Sequence, residues 1–215
     1  MPEPVCNNQP SGLAKNRIET LTDGIFAIAM TLLILGIEVP QQVPRMPLLN
    51  LMQELFPDIL QYIVAFLILA VFWVIHHNQF HSLRFVDTRL LWLNIIWLLF
   101  VGGMPFSTSL AETYLENSFA MVIFGCNIIA IALILNAQWN HASRGHCLID
   151  PSTSDEMIGI EHRRVRLILG IAIVGTVAAI FSVYLGILIF AAIPVTFALD
   201  TRLTRYIPYT TSEKK

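Results

Sequence analysis

Residues 17–40 read RIETLTDGIFAIAMTLLILGIEVP, and this stretch decides what kind of protein the chain is. No charge falls between Asp23 and Glu38, and Pro40 closes the run because proline has no N–H with which to continue a helix. A bilayer's hydrocarbon core is about 30 Å thick and each helical residue rises about 1.5 Å, so about 20 apolar residues span it. Residues 17–39 meet that length. Five more runs do so at approximately 57–78, 87–106, 117–139, 160–181 and 184–203. The last two divide one long apolar stretch near Phe181 to Tyr184. The whole chain of 215 residues is 55% hydrophobic and only 13% charged, with a mean hydropathy of +0.66. An ordinary soluble domain is less apolar. The expected fold class is an all-α integral membrane protein of six transmembrane helices. Residues 1–16 form an N-terminal cytoplasmic segment, 17–204 the membrane domain and 205–215 a cytoplasmic tail.

The sidedness comes from Lys and Arg, which favour the cytoplasmic loops. Twelve of the thirteen lie in the N-terminus (Lys15, Arg17), the second loop (Arg84, Arg89), the fourth loop (Arg144, Arg163, Arg164, Arg166) and the C-terminus (Arg202, Arg205, Lys214, Lys215). Arg45, in the first loop, is the exception. Such alternation fits six spans with both ends in the cytoplasm, and an odd number of spans would spoil it. A net charge of −2 supplies no basic field for nucleic acid. The lipid bilayer is the expected surroundings. Cys6, Cys126 and Cys147 show no metal-ligand spacing.

Within the first span, Asp23 lies more than one turn inside the run. An ionisable side chain there faces a protein interior or a water-filled cavity, or else sits at the headgroup boundary. At about 100° per residue, Arg17, Gly24, Ile28, Thr31 and Leu35 fall within a window of about 60°. Asp23 points roughly a quarter turn away. That stripe reads either as a narrow apolar pore wall or as ordinary packing surface.

The segment Arg17-Ile18-Glu19-Thr20-Leu21-Thr22-Asp23-Gly24 resembles the Arg-x-x-x-Phe-Ser-Asp signature of the endosomal/lysosomal potassium channel family. Phe26-Ala27-Ile28-Ala29, the Ile37-Glu38-Val39-Pro40 helix end and Trp73-x-x-His76-His77 are similar to the family as well. The chain departs from the pattern at Leu21, where the family has Phe, and at Thr22, where it has Ser. The resemblance, to the bacterial members, covers the whole six-helix layout. It implies a homotetramer in the bacterial plasma membrane that passes potassium ions, with the first helix of each subunit lining a central pore. It implies further that Ile28 and Leu35 form the constriction with Thr31 between them, and that no carbonyl filter is present. No Thr-Val-Gly-Tyr-Gly-like segment occurs. Thr22 and Asp23, off the stripe, are then expected to join Arg17 and His77 of the second helix in a supporting polar network. Glu38 is a candidate source of cation preference near the outer mouth. No cofactor is expected beyond the permeant ion.

Two rival readings stand beside this one. A proton-coupled transporter would use Asp23 as the titrating group, although the inverted repeats typical of many transporters are not evident. A non-conducting scaffold would hold metal or haem on its histidines. His76, His77 and His81 cluster, and His77 and His81 are four residues apart, yet no Cys or carboxylate stands at matching spacing, and such histidines are more often hydrogen-bond partners near a membrane surface. His141, His146 and Cys147 are irregularly spaced. No nucleophile and base at motif spacing, phosphate-cradling glycine loop or HExxH motif points to an enzyme.

Overall fold

The computed structural model describes residues 14–37, 47–114 and 117–199, and seven α-helices account for most of them. These are α1 (Lys15–Leu33), α2 (Leu48–His81), α3 (Thr88–Gly102), α4 (Met104–Thr113), α5 (Ser118–Ser143), α6 (Asp155–Phe181) and α7 (Val183–Leu199). A 3-10 turn, Ile34–Gly36, prolongs α1. Five segments, Lys15–Gly36, Leu48–His81, Thr88–Thr113, Ser118–Ser143 and Asp155–Phe181, are long and apolar enough to cross a membrane. The helix Val183–Leu199 is apolar and shorter.

Several helices extend beyond the apolar runs or divide them. The helix that carries the second run is longer than that run: α2 begins at Leu48 and carries Pro57 inside it. Nothing in Leu48–Phe56 breaks a helix, and one interior proline removes a single backbone hydrogen bond. The helix of the fifth run starts at Asp155, ahead of the apolar run from 160, because Ser154 caps it through a bond from Met157 N–H (3.3 Å) and Asp155 and Glu156 favour its first turn. The polar first turn of α6 carries no apolar signal. Around 87–106 the chain forms two helices, α3 and α4, with Pro105 just inside the second. The ring of Pro105 crowds the carbonyl four residues back and bends the span. Asn127 of α5 braces that bend, donating its amide to Phe100 O at 3.2 Å and to Ser107 Oγ at 3.2 Å. Between α6 and α7 the chain turns at Ser182, whose backbone is extended. The C-terminal part of the sixth run, 200–203, lies outside the described residues, as do the segments 1–13 and 205–215.

The bundle packs around a core in which Phe72, Trp97, Met104, Phe124, Ile131 and Phe190 are buried. Small residues let α5, α6 and α7 approach closely. A Cβ on Gly186 would stand 2.8 Å from the Cβ of Ala179, and one on Gly175 would stand 2.7 Å from the Phe190 ring. At one end the α2–α3 and α5–α6 connections are tied together. Leu83 and Ile149 form an antiparallel bridge, with Arg84 N–H donating to Leu148 O (2.8 Å) and Asp150 N–H to Ser82 O (2.9 Å). Lys15 Nζ donates to Leu83 O at 2.9 Å, and Asp87 caps α3 while pairing with His141 at 2.8 Å. The start of α1 and the loops after α2 and α5 therefore share one end of the bundle. The Ser152 hydroxyl and main-chain N–H hold the Asp150 carboxyl below the usual carboxylate range, which fixes the turn leaving this tie.

Candidate functional site

α1 is packed on one side only. Ile18, Thr22, Phe26, Ala29 and Leu33 are buried against α2, α3 and α4. Arg17, Gly24, Ile28, Thr31 and Leu35 are exposed on the opposite side. Ile28 is 60% exposed and Leu35 73%, so neither packs within its own subunit. Nothing lies within 4 Å of the position a Cβ on Gly24 would take. This glycine serves no close approach inside the subunit. Thr31 turns its hydroxyl proton back onto the helix, donating to Ala27 O or Ile28 O, each at 2.9 Å. The lone pairs of that oxygen are left facing outward. Glu38, expected near the outer mouth, lies outside the described residues.

Behind the stripe, a buried polar relay joins three helices. Asn94 of α3 donates its amide to Thr22 Oγ1 of α1 (3.3 Å), and its Oδ1 is 2.9 Å from His76 Nε2 of α2. With the Asn94 amide spent on Thr22, its oxygen accepts, so the His76 Nε2 carries the hydrogen. The His76 ring is stacked between Phe80 (4.1 Å) and Trp97 (4.6 Å). Trp97 in turn touches Phe26 of α1 at 5.3 Å and donates its N–H to Ile131 O of α5 at 3.1 Å. A second contact lies toward the exposed edge, where Trp73 Nε1 donates to Asp23 Oδ1 at 2.8 Å and Trp73 stacks on His77 at 5.7 Å.

This corrects the expected network in two places. His77 does not bond Asp23 or Thr22; the first finds Trp73 and the second Asn94. The buried face of α2 runs Phe72, Ile75, His76, Gln79, Phe80, so His76 points inward and His77, one residue on, is turned about 100° out of that face. The spacing of apolar residues around the two histidines carried this information. Asn94 had no such signal, since an amide in an apolar run has no partner visible in sequence. Apart from main-chain bonds, in which its N–H donates to Ala14 O at 3.0 Å, Arg17 makes no hydrogen bond or ion pair among the described residues, and it stays on the exposed stripe. Among the described residues no three His, Cys, Asp or Glu side chains come together to hold a metal ion.

Comparison with known proteins bears on this arrangement. Residues 17–105 match the family model for the endosomal/lysosomal potassium channel TMEM175. A protein named as a potassium channel from Streptomyces collinus is 35% identical over 139 residues, covering 63% of this chain and 68% of the relative. Another so named, from Chamaesiphon minutus, is 30% identical over 195 residues, covering 88% of this chain and 96% of its own. The chain belongs to the TMEM175 family. The crystal structure described as a lysosomal potassium-selective channel TMEM175 homolog from Chamaesiphon minutus superposes with a TM-score of 0.77 at 29% identity, over 86% of this chain and 96% of that one. The fold is thus that of an all-α, multi-pass membrane protein of the TMEM175 family. Within that family frame, the departures Leu21 and Thr22 fall one on each side of the helix. Leu21 is 50% exposed and Thr22 is buried, its hydroxyl accepting from Asn94.

Proposed function

We propose that this chain is one subunit of a homotetrameric, potassium-permeable channel of the bacterial plasma membrane, with both ends cytoplasmic and the outward stripe of α1 lining the pore. The observation that carries the proposal is the half-packed first helix. Only 28% of its spanning window is buried, less than in the other four long spans. Its free face mixes Ile28 and Leu35 with Arg17, Gly24 and Thr31. Lipid alone is a poor partner for that mixture, because polar and ionisable groups at membrane depth face protein or a wet cavity. The names of the relatives from Streptomyces and Chamaesiphon point to the same ion.

Four copies of α1 around one axis bring four Ile28 and four Leu35 side chains together. Such apolar rings exclude water, so a hydrated cation sheds part of its shell to pass and the barrier depends steeply on ion size. Between them, the outward lone pairs of four Thr31 hydroxyls replace part of the lost hydration. Potassium gives up water more cheaply than sodium, so modest potassium preference follows without a carbonyl filter. The Thr22–Asn94–His76 relay and the Trp73–Asp23 bond fix the rotation of α1 about its own axis, which decides the side chains that reach the pore. Asp23 held by an indole N–H is a fixed acceptor, which disfavours a transporter that moves it through a proton cycle.

Planar-bilayer recording of reconstituted protein tests the reading. Leu35→Ala is expected to raise potassium current, and Ile28→Asn to wet the constriction and lower the potassium-to-sodium permeability ratio. Unchanged conduction in both variants, or current carried by protons rather than potassium, would contradict it.

A further inference from the structure

At the end of the bundle opposite the tied loops, α1, α2 and α4 meet around a carboxylate that the pore account does not use. Glu112, near the end of α4, is 8% exposed, and neither of its oxygens has a hydrogen-bond partner among the described residues. A Cβ on Gly36 would stand 2.8 Å from Glu112 Oε2. The carboxylate thus lies against the backbone of the Ile34–Gly36 turn that carries Leu35. A second acceptor lies one helix across: Gln61 of α2 donates Nε2 to Thr108 O at 3.2 Å, which leaves its buried Oε1 without a partner among the described residues. Thr108 precedes Glu112 by one turn of α4, and Asp58 precedes Gln61 by about one turn of α2, so these side chains form successive rungs of one helix contact.

Two carboxylates and an amide oxygen with no free donor among them repel one another unless a proton or a cation stands between. We infer that Asp58, Glu112 and Gln61 Oε1 bind a calcium ion, drawn from the side of the membrane opposite the Lys/Arg-rich loops, and that the ion braces the turn bearing Leu35. Two negative charges match one divalent ion. The all-oxygen donor set suits a hard cation rather than zinc or copper, and its irregular layout suits calcium better than magnesium, which demands near-octahedral geometry. Asp58 is only half-buried, which gives the ion a way in from the membrane surface. Binding stands apart from the pore assignment, whereas any effect of the ion on current rests on it.

Thermal unfolding of the purified full chain in detergent, at constant high potassium chloride, tests the site directly. Added calcium is expected to raise Tm saturably in the parent, with magnesium weaker. Glu112→Gln should abolish the shift, and Asp58→Asn should weaken the apparent affinity by about tenfold, as expected when a ligand charge is removed. Asp58→Asn, at a half-buried position, carries the same test if Glu112→Gln fails to fold. Equal shifts in parent and variants, or none in any, would overturn the site. Stabilisation of the parent by acid alone, with no response to calcium, would assign the two carboxyls a shared proton and overturn it equally. None of these outcomes depends on whether Leu35 lines a pore.

Discussion

Asn94 is fully buried, and both of its polar ends are used, one on Thr22 and one on His76. Replacing it with leucine keeps the volume and removes both bonds, leaving a buried imidazole N–H and a buried hydroxyl without partners. Interhelical hydrogen bonds in membranes average only about 0.6 kcal/mol, while a stranded buried polar group costs about 1–3 kcal/mol. Asn94→Leu is therefore expected to destabilise the fold by about 1–3 kcal/mol in a denaturant unfolding titration, mostly through the orphaned groups. His76→Phe in the same background should recover part of that loss, because the orphan is removed with its ring stacking intact. The residue scale is also where the sequence misled. Asp23, Thr22 and the Trp73/His76/His77 cluster were visible as polar groups in apolar runs. The apolar face of α2 selects His76 rather than the expected His77, and Asn94 supplies no pattern to read.

Among the elements, α1 and the α5–α6–α7 group are opposites. The second group is packed by small residues: a Cβ on Gly125 would overlap Thr176 Oγ1 and sit 3.0 Å from the Phe190 ring. Thr176 cannot easily withdraw, since its hydroxyl is bonded to Ala172 O at 2.7 Å. Gly125→Val is expected to cost about 1–3 kcal/mol by overpacking, read as a lower Tm of the purified protein. The same substitution at Gly24, where nothing is within 4 Å, should leave subunit stability unchanged and act only on assembly or current. Hydropathy alone located the long apolar runs, because a spanning helix must satisfy its own backbone and so reads as one uninterrupted stretch. It did not locate the α3–α4 bend, where Asn127 of a distant helix supports the kinked backbone, nor the polar first turn of α6.

For the molecule as a whole, the start of α1 and the loops after α2 and α5 meet at one end, held by the Leu83–Ile149 bridge and the Lys15–Leu83 bond. Those are the segments rich in Lys and Arg, so the charge pattern and the topology describe the same end. Among the described residues nothing covers the outward face of α1, and sequence periodicity could not tell pore wall from packing surface because both present apolar residues at the same spacing. An assembly answers that. The most direct measurement is a cryo-EM reconstruction of the full-length protein in lipid nanodiscs. The account predicts four subunits about one axis, with Ile28, Thr31 and Leu35 of each facing it and the Leu35 side chains forming the narrowest ring. A reconstruction with that face of α1 turned to lipid, or with Leu35 away from any symmetry axis, would contradict it.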